Sequence, residues 1–378
     1  MNLKSYPVRT HLEKTIGQTV KFFKSTNDNR GHPAILGYSP FNEPHPAGFD
    51  KGLFERQFLN EFYSNVLEEI YKYDNNTFIF IEPRVDWTVY PAQDNNDNNN
   101  ILNEFTFIKH PNQIKTFLPN DSRFLQQYAS KGVLSFHYYD PWTMSYSFLN
   151  IPDNMSNKKK EWPLIFFELR EAAVSRGLIP FLTEFGGSQD WKKLQTNLPP
   201  SKVYHNEQIR AYMDLQFTQI ETHLLNATYW NYDFYNTEEN KDNWNLENFS
   251  LLGPNRTSRS LDIVARPYPL YSSGEPQLLS FSLDSLYCSI ILKAPIVESP
   301  TVIYIPYDIH YKPIFKIWAT SDRIQWSPKQ QLLYWHPDKD KPLNQIVITP
   351  LGDLDKSLLP EQSKSLLDEI NFVKEFGQ

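Results

Sequence analysis

Two glutamates occupy the same kind of place in this sequence. Glu43 closes the run Ile35-Leu36-Gly37-Tyr38-Ser39-Pro40-Phe41-Asn42-Glu43-Pro44, an apolar stretch ending in an Asn-Glu-Pro turn. Glu184 closes Gly177-Leu178-Ile179-Pro180-Phe181-Leu182-Thr183-Glu184-Phe185-Gly186-Gly187 in the same way. Each run reads as a short buried strand that delivers a carboxylate to its C-terminal lip. In a parallel α/β barrel the loops of all the strands converge on that lip. Two carboxyl groups facing one small space can divide the work of breaking a glycosidic bond. One protonates the leaving oxygen while the other attacks or assists at the sugar carbon. Taken singly, Glu43 has a plainer reading as a cap for the turn that follows. The pair outweighs either half.

Other residues compete for that space or could complete it. Thr77-Phe78-Ile79-Phe80-Ile81-Glu82-Pro83 is again a buried strand ending in a glutamate, so Glu82 is a rival that spacing cannot dismiss. Gly132-Val133-Leu134-Ser135-Phe136 delivers His137-Tyr138-Tyr139-Asp140-Pro141-Trp142, and a period of two puts His137 and Tyr139 on one side. A His-X-Tyr alone is more often packing. At a strand mouth between two glutamate-ended strands, function is the better reading. Trp230, at the end of Asn226-Ala227-Thr228-Tyr229-Trp230, suits the floor of a sugar subsite or a lid over a core; Trp244 and Asn248 fall in the next loop.

The elements that must position these residues are legible as periodic segments. Residues 11–25 carry apolar positions at helical spacing. From Lys51 to Lys72 the residues Phe54, Phe58, Phe62, Val66 and Ile70 recur at steps of four, a wide stripe for packing on a sheet. Residues 163–176 and 204–225 read as further helices flanking the Glu184 strand. The Asn-rich run 94–100 reads as a solvated loop. From Arg266-Pro267-Tyr268-Pro269 helical periodicity stops. Short β-rich segments follow at 277–283, 286–293, 301–305, 313–319, 331–335 and 344–349, as in a small antiparallel sandwich. A catalytic domain over 1–265, a sandwich over 266–352 and a polar, partly helical tail over 353–378 are therefore expected.

Composition narrows the field. The 378 residues are 40% hydrophobic with a formal charge of −7, enough for a large domain plus a smaller one and no reason to expect nucleic acid as partner. The one cysteine, Cys288, excludes an intrachain disulfide framework and a cysteine metal cluster, and reads as an inert buried thiol in a strand. The stretch from Met1 to His11 is polar and reads as no signal peptide, and no apolar run reaches membrane-spanning length.

Four motifs in order carry a family likeness. Gly37-Tyr38 through Asn42-Glu43-Pro44, then Phe136-His137-Tyr138-Tyr139-Asp140-Pro141, then Pro180-Phe181-Leu182-Thr183-Glu184-Phe185-Gly186, then Tyr229-Trp230 resemble glycoside hydrolase family 5. Within it the motifs look most like the endoglycoceramidase and glucosylceramidase group, which adds a C-terminal β-sandwich, and the junction Arg266-Pro267-Tyr268-Pro269 resembles that group too. The resemblance covers about residues 11–350. It implies a (β/α)8 TIM barrel followed by an antiparallel β-sandwich, and a retaining mechanism. Glu43 would be the acid/base and Glu184 the nucleophile, with their carboxyl groups about 5 Å apart. Asn42 would bond the sugar 2-hydroxyl, His137 and Tyr139 would orient the sugar and nucleophile, and Trp230 would stack beneath the ring. Glu82 has no catalytic counterpart in that pattern.

The resemblance also departs. In the family the Asn-Glu strand is the fourth of eight, yet only about thirty residues precede it here. A full barrel takes roughly 250 residues, so an N-terminally incomplete barrel of strands four to eight is expected. Three explanations suit it: a fragment of a longer product, one half of a split enzyme that needs an N-terminal partner half, or a decayed remnant. The implied substrate is glucosylceramide or a related glycolipid, met at a membrane surface, with a β-glucan or steryl glucoside as the alternative. A non-catalytic remnant that binds carbohydrate or lipid is the reading from a different class. The apolar residues Trp142, Met144, Tyr146 and Phe148 suit a lipid aglycone. The chemistry calls for no metal or organic cofactor.

Overall fold

A run of parallel strands forms where the apolar segments predicted it. The computed structural model describes residues 7–25, 32–46, 48–84, 117, 122–139, 155–189, 206–237, 239–242 and 247–377. Contacts divide the chain into two compact units: residues 1–194 with 225–231, and residues 195–224 with 232–378.

In the first unit, β1 (Gly37–Tyr38), β2 (Phe78–Ile81), β3 (Gly132–Tyr138), β4 (Ile179–Phe185) and β5 (Asn226–Tyr229) make one sheet in sequential order. Every neighbouring pair is parallel. This is part of a TIM barrel, strand following strand with helical connections. The central strand β3 is buried along its whole length, as a parallel strand covered on both faces must be. The first strand is much shorter than the apolar run from Ile35 to Phe41 suggests. Only Gly37 and Tyr38 pair, because Pro40 has no N–H to donate and the chain turns at once toward Glu43.

The stripe between β1 and β2 is helical as its period requires, but not uniformly α. A short turn, Lys51–Leu53, leads into a π-helical segment, Phe54–Leu59, and then the α-helix Asn60–Tyr71. Leu59, Tyr63, Val66 and Leu67 on it are fully buried. The helix Pro7–Lys24 lies against it, with Arg9 on Glu61 and Asn65 donating to Glu13. Two further helices in this unit, Arg123–Tyr128 and Met155–Val174, precede β3 and β4.

The second unit is antiparallel. One sheet runs β14 (Phe372–Gly377), β10 (Ile314–Ala319), β13 (Leu343–Pro350), β8 (Cys288–Lys293), β7 (Glu275–Phe281). The other runs β11 (Ile324–Ser327), β12 (Leu332–Trp335), β9 (Thr301–Tyr304), β6 (Tyr268–Tyr271). The core holds Ile290, Leu292, Ile303, Phe315, Ile317, Leu333, Trp335, Ile346 and Ile348, contributed by strands of both sheets. Cys288 is buried there, and burial pushes its thiol well up, so it stays protonated.

Two features differ from the expected domains. Residues 353–378 are no tail: Leu359 and Leu367 pack beside Val347, and Phe372–Gly377 pairs antiparallel with β10 as an edge strand. The helix Asn206–Thr222, which falls between β4 and β5 in sequence, belongs with the second unit. Arg266 is buried there, its guanidinium bonded to Glu221 and Asp214 of that helix and 4.7 Å from the Phe281 ring centre.

Candidate active site

The C-terminal ends of β1 to β4 bring four titratable side chains of the first unit together. β3 and β4 run in register until a bulge between Phe136 and His137, after which His137 lies opposite Glu184. A bulge re-aims the side chains that follow it. Beneath the bulge, the Ser135 and Thr183 hydroxyls bond to each other at 2.6 Å, Thr183 also donates to the Phe136 carbonyl, and Thr228 bonds the Thr183 carbonyl. These short hydroxyl links tie three strands just below the carboxylates.

His137 is the centre of the arrangement. Its Nδ1 lies 2.8 Å from Glu43 Oε1 and 3.4 Å from Glu184 Oε2, and its Nε2 lies 3.5 Å from Glu82 Oε1. A carboxylate therefore faces each ring nitrogen. The ligand atoms of Glu43, His137 and Glu184 all lie within 4.8 Å of one another. That spacing is compatible with a cation. In this structure His137 Nδ1 is hydrogen-bonded to Glu43.

The neighbours set the charge states. Tyr139 donates its hydroxyl to Glu184 Oε2 at 2.7 Å. Burial raises the Glu184 carboxyl above its usual range, against the pull of His137 and Tyr139. Burial also pushes Glu82, only 3% exposed, up to about 7, with His137 opposing. For His137 burial works downward, but the bond to Glu43 and the charges of Glu82, Glu184 and Glu43 outweigh it, so the imidazolium is favoured.

Glu43 itself is held in an unusual way. Its φ of 46° lies in the left-handed region, which costs energy for a residue with a Cβ. Its backbone N–H donates to Glu82 Oε2 at 3.0 Å. Glu82 in turn is fixed from behind: the buried Tyr63 hydroxyl donates to its carbonyl and accepts from its N–H. Arg84, just beyond Pro83, pairs with buried Glu55 on the π-helical segment at 3.1 Å.

The structure thus brings together Glu43, Glu184, His137 and Tyr139, and adds Glu82 to them. Asn42 is exposed beside Glu43. Trp230 is half-buried at the end of β5, its backbone N–H donating to the Phe185 carbonyl at 2.8 Å. A Cβ on Gly186 would stand 2.3 Å from the Trp230 carbonyl oxygen, so only glycine allows this approach. Asn248 is buried in the second unit, where it accepts from Asn236 and Arg259. Trp142, Met144, Tyr146, Phe148, Trp244 and the run 94–100 lie outside the described residues. Sequence reasoning missed the hydroxyl links and the contacts of Glu82 with His137 and the Glu43 N–H. The strand-Glu-Pro pattern found Glu82 but could not show which atoms it meets.

The chain belongs to glycosyl hydrolase family 5: the family's cellulase model matches residues 4–236 and the family's C-terminal domain model matches residues 266–349. It is similar to a glucosylceramidase of Rhizopus delemar, 27% identical over 166 residues, which is 38% of this chain and 24% of that protein. A glucosylceramidase of Cryptococcus neoformans var. grubii is 25% identical over 156 residues, 33% of this chain and 21% of that protein. These matches span about a quarter of the curated relatives' length. Among solved structures, endo-glycoceramidase II from Rhodococcus sp. shares the fold with a TM-score of 0.60 at 17% identity, over 92% of this chain and 66% of that one. Sterylglucosidase 1 of Cryptococcus neoformans does so with a TM-score of 0.57 at 18% identity, over 79% and 44%.

Proposed function

We propose that this chain carries the reacting centre of a retaining β-glycosidase that acts on glucosylceramide or a related glycolipid. The observation that carries the reading is the spacing of Glu43 and Glu184, whose facing oxygens lie within 4.8 Å. Retaining enzymes hold their two carboxyl groups about 5–5.5 Å apart, whereas inverting ones leave room for a water between them. Glu184 is the nucleophile. Its carboxylate forms a bond to the anomeric carbon as the bond from that carbon to the leaving oxygen breaks. Glu43 gives its proton to that oxygen. In the second step a water loses a proton to Glu43 and attacks the same carbon, which frees Glu184.

The other side chains have consistent places. Tyr139 holds one Glu184 oxygen, leaving the second for attack. His137 bonds Glu43 from within. In this reading Asn42 bonds the sugar 2-hydroxyl and Trp230 stacks beneath the ring. The names of the relatives support a glycolipid substrate. A steryl glucoside is the second reading, favoured by the sterylglucosidase likeness. Both have a lipid aglycone and imply an encounter with a membrane surface.

The test is a fluorogenic aryl β-glucoside, a labelled glucosylceramide and a labelled steryl glucoside, assayed with the wild type and two variants. Glu184→Gln should lose turnover by at least about a thousandfold. Glu43→Gln should lose most of its turnover on the lipid substrates and regain much of it on an aryl glucoside whose leaving group needs no proton. A 2-fluoro glucoside should leave a covalent sugar on the Glu184 peptide, read by mass spectrometry. Full turnover in Glu184→Gln sinks the assignment.

A further inference from the structure

Glu82 is the most enclosed charged group of the site and has no role in the two-carboxylate chemistry. Its geometry is specific. Oε1 faces His137 Nε2 at 3.5 Å, while Oε2 accepts the Glu43 N–H at 3.0 Å. One carboxylate thus grips the ring that bonds the acid/base and the backbone that carries it. The Glu82 main chain is locked by the Tyr63 hydroxyl, fully buried on the Asn60–Tyr71 helix. Pro83 restricts its exit, and the Arg84–Glu55 pair pins the chain beyond.

We infer that Glu82 is a positioning residue, which holds His137 as an imidazolium oriented on Glu43 and Glu184 and holds Glu43 in its left-handed backbone conformation. The inference rests on the glycosidase reading for its effect on rate, but not for its effect on His137. A carboxylate accepts hydrogen bonds and donates none. With Glu82 ionised at Nε2, and Glu43 and Glu184 at Nδ1, the ring meets all three carboxylates favourably only when both nitrogens carry protons. Remove the Glu82 charge and Nε2 loses the carboxylate that faces it, while Nδ1 keeps Glu43 and Glu184 beside it. The neutral Nδ1–H tautomer then becomes the favoured form. Among the described residues, the titratable groups that face His137 are Glu43 from the β1 loop, Glu82 from β2 and Glu184 from β4; Tyr139 faces Glu184 and Tyr63 faces Glu82.

Glu82→Gln keeps the shape of the side chain and an oxygen for the Glu43 N–H, so it isolates the charge. Glu82→Asp keeps the charge but withdraws it by one methylene. Nitrogen-15 NMR of the ring, with the His137 signal identified by its loss in His137→Gln, reads the state of the imidazole directly. In the wild type both ring nitrogens should stay protonated through neutral pH. In Glu82→Gln the ring should deprotonate at Nε2 at a pH at least one unit lower. Glu82→Gln should lower kcat about ten- to a hundredfold with KM within a factor of three, and Glu82→Asp should recover part of the loss. An unchanged His137 titration in Glu82→Gln overturns the inference. So does unchanged kcat in Glu82→Gln when Glu184→Gln is inactive. Full turnover in Glu184→Gln would instead remove the glycosidase reading, and the NMR arm would still decide the link between Glu82 and His137.

Discussion

Glu82 should cost the fold stability, and the cost should have a pH signature. Its carboxyl is raised from an ordinary 4.5 to about 7, first by burial. Between those values the folded chain holds a proton that the unfolded chain has released. The unfolded state binds fewer protons there, so stability falls as pH rises from 4.5 to 7. Below 4.5 both states are protonated and there is no penalty; above 7 both are ionised and the penalty is complete. Each pKa unit is worth about 1.4 kcal/mol, so the ceiling is about 3 kcal/mol. Glu82→Gln removes that penalty but also takes away one of the charges that favour protonated His137, which returns part of the gain. At pH 8 the variant should therefore be about 2 kcal/mol more stable than the wild type. At pH 4.5 the two should be nearly equal. Urea unfolding followed by tryptophan fluorescence at half-unit steps from pH 4.5 to 8 reads the difference. Comparing variant with wild type cancels the raised carboxyls that lie away from the site, Glu13 and Glu221, which tilt both curves alike. A difference that is flat across that range, or a variant less stable at pH 8, refutes the electrostatic account of this site. A residue that weakens the fold while aiding the chemistry is the expected form of a stability–activity trade-off.

Tyr139→Phe removes the hydroxyl that Glu184 Oε2 accepts at 2.7 Å. Losing that bond to the charged form raises the Glu184 carboxyl further, so the acid limb of the kcat/KM profile should move to higher pH and the rate should fall about tenfold or more. Trp335→Ala empties the middle of the second unit's core and takes away the donor to Ser321 Oγ. Chemical unfolding should show a loss of about 3–5 kcal/mol.

Much of the site was legible because its chemistry sits at strand ends, and strand ends are where periodic apolar runs stop. Glu43, Glu184, His137 and Tyr139 lie at such ends, and six of the sandwich strands are marked by their β-rich composition. The remainder depended on features that period does not encode. The left-handed backbone of Glu43 has no sequence mark, since glutamate is an unusual occupant of that region. The π-helical segment at Phe54–Leu59 keeps the apolar spacing of an α-helix and so cannot be told from one. In residues 353–378 the positions Leu359, Leu366, Ile370 and Val373 suggested a weak helical stripe. Phe372 and Phe376, four apart, fit either period, and in the structure they lie along an edge strand and pack on the sandwich core.

The Arg266 cluster bears on how such genes can be cut and joined. The family's C-terminal domain match begins at residue 266, so the sandwich looks like a portable cassette. Its first residue, however, is a buried guanidinium whose counter-charges, Glu221 and Asp214, are encoded well upstream on the Asn206–Thr222 helix. A cassette starting at 266 would inherit a stranded cation, and breaking a buried pair of this kind costs about 3–5 kcal/mol. Recombination is tolerated only where the helix travels with the sandwich, or where both halves come from parents with the same salt link. One side chain thereby makes two stretches of sequence a single heritable unit.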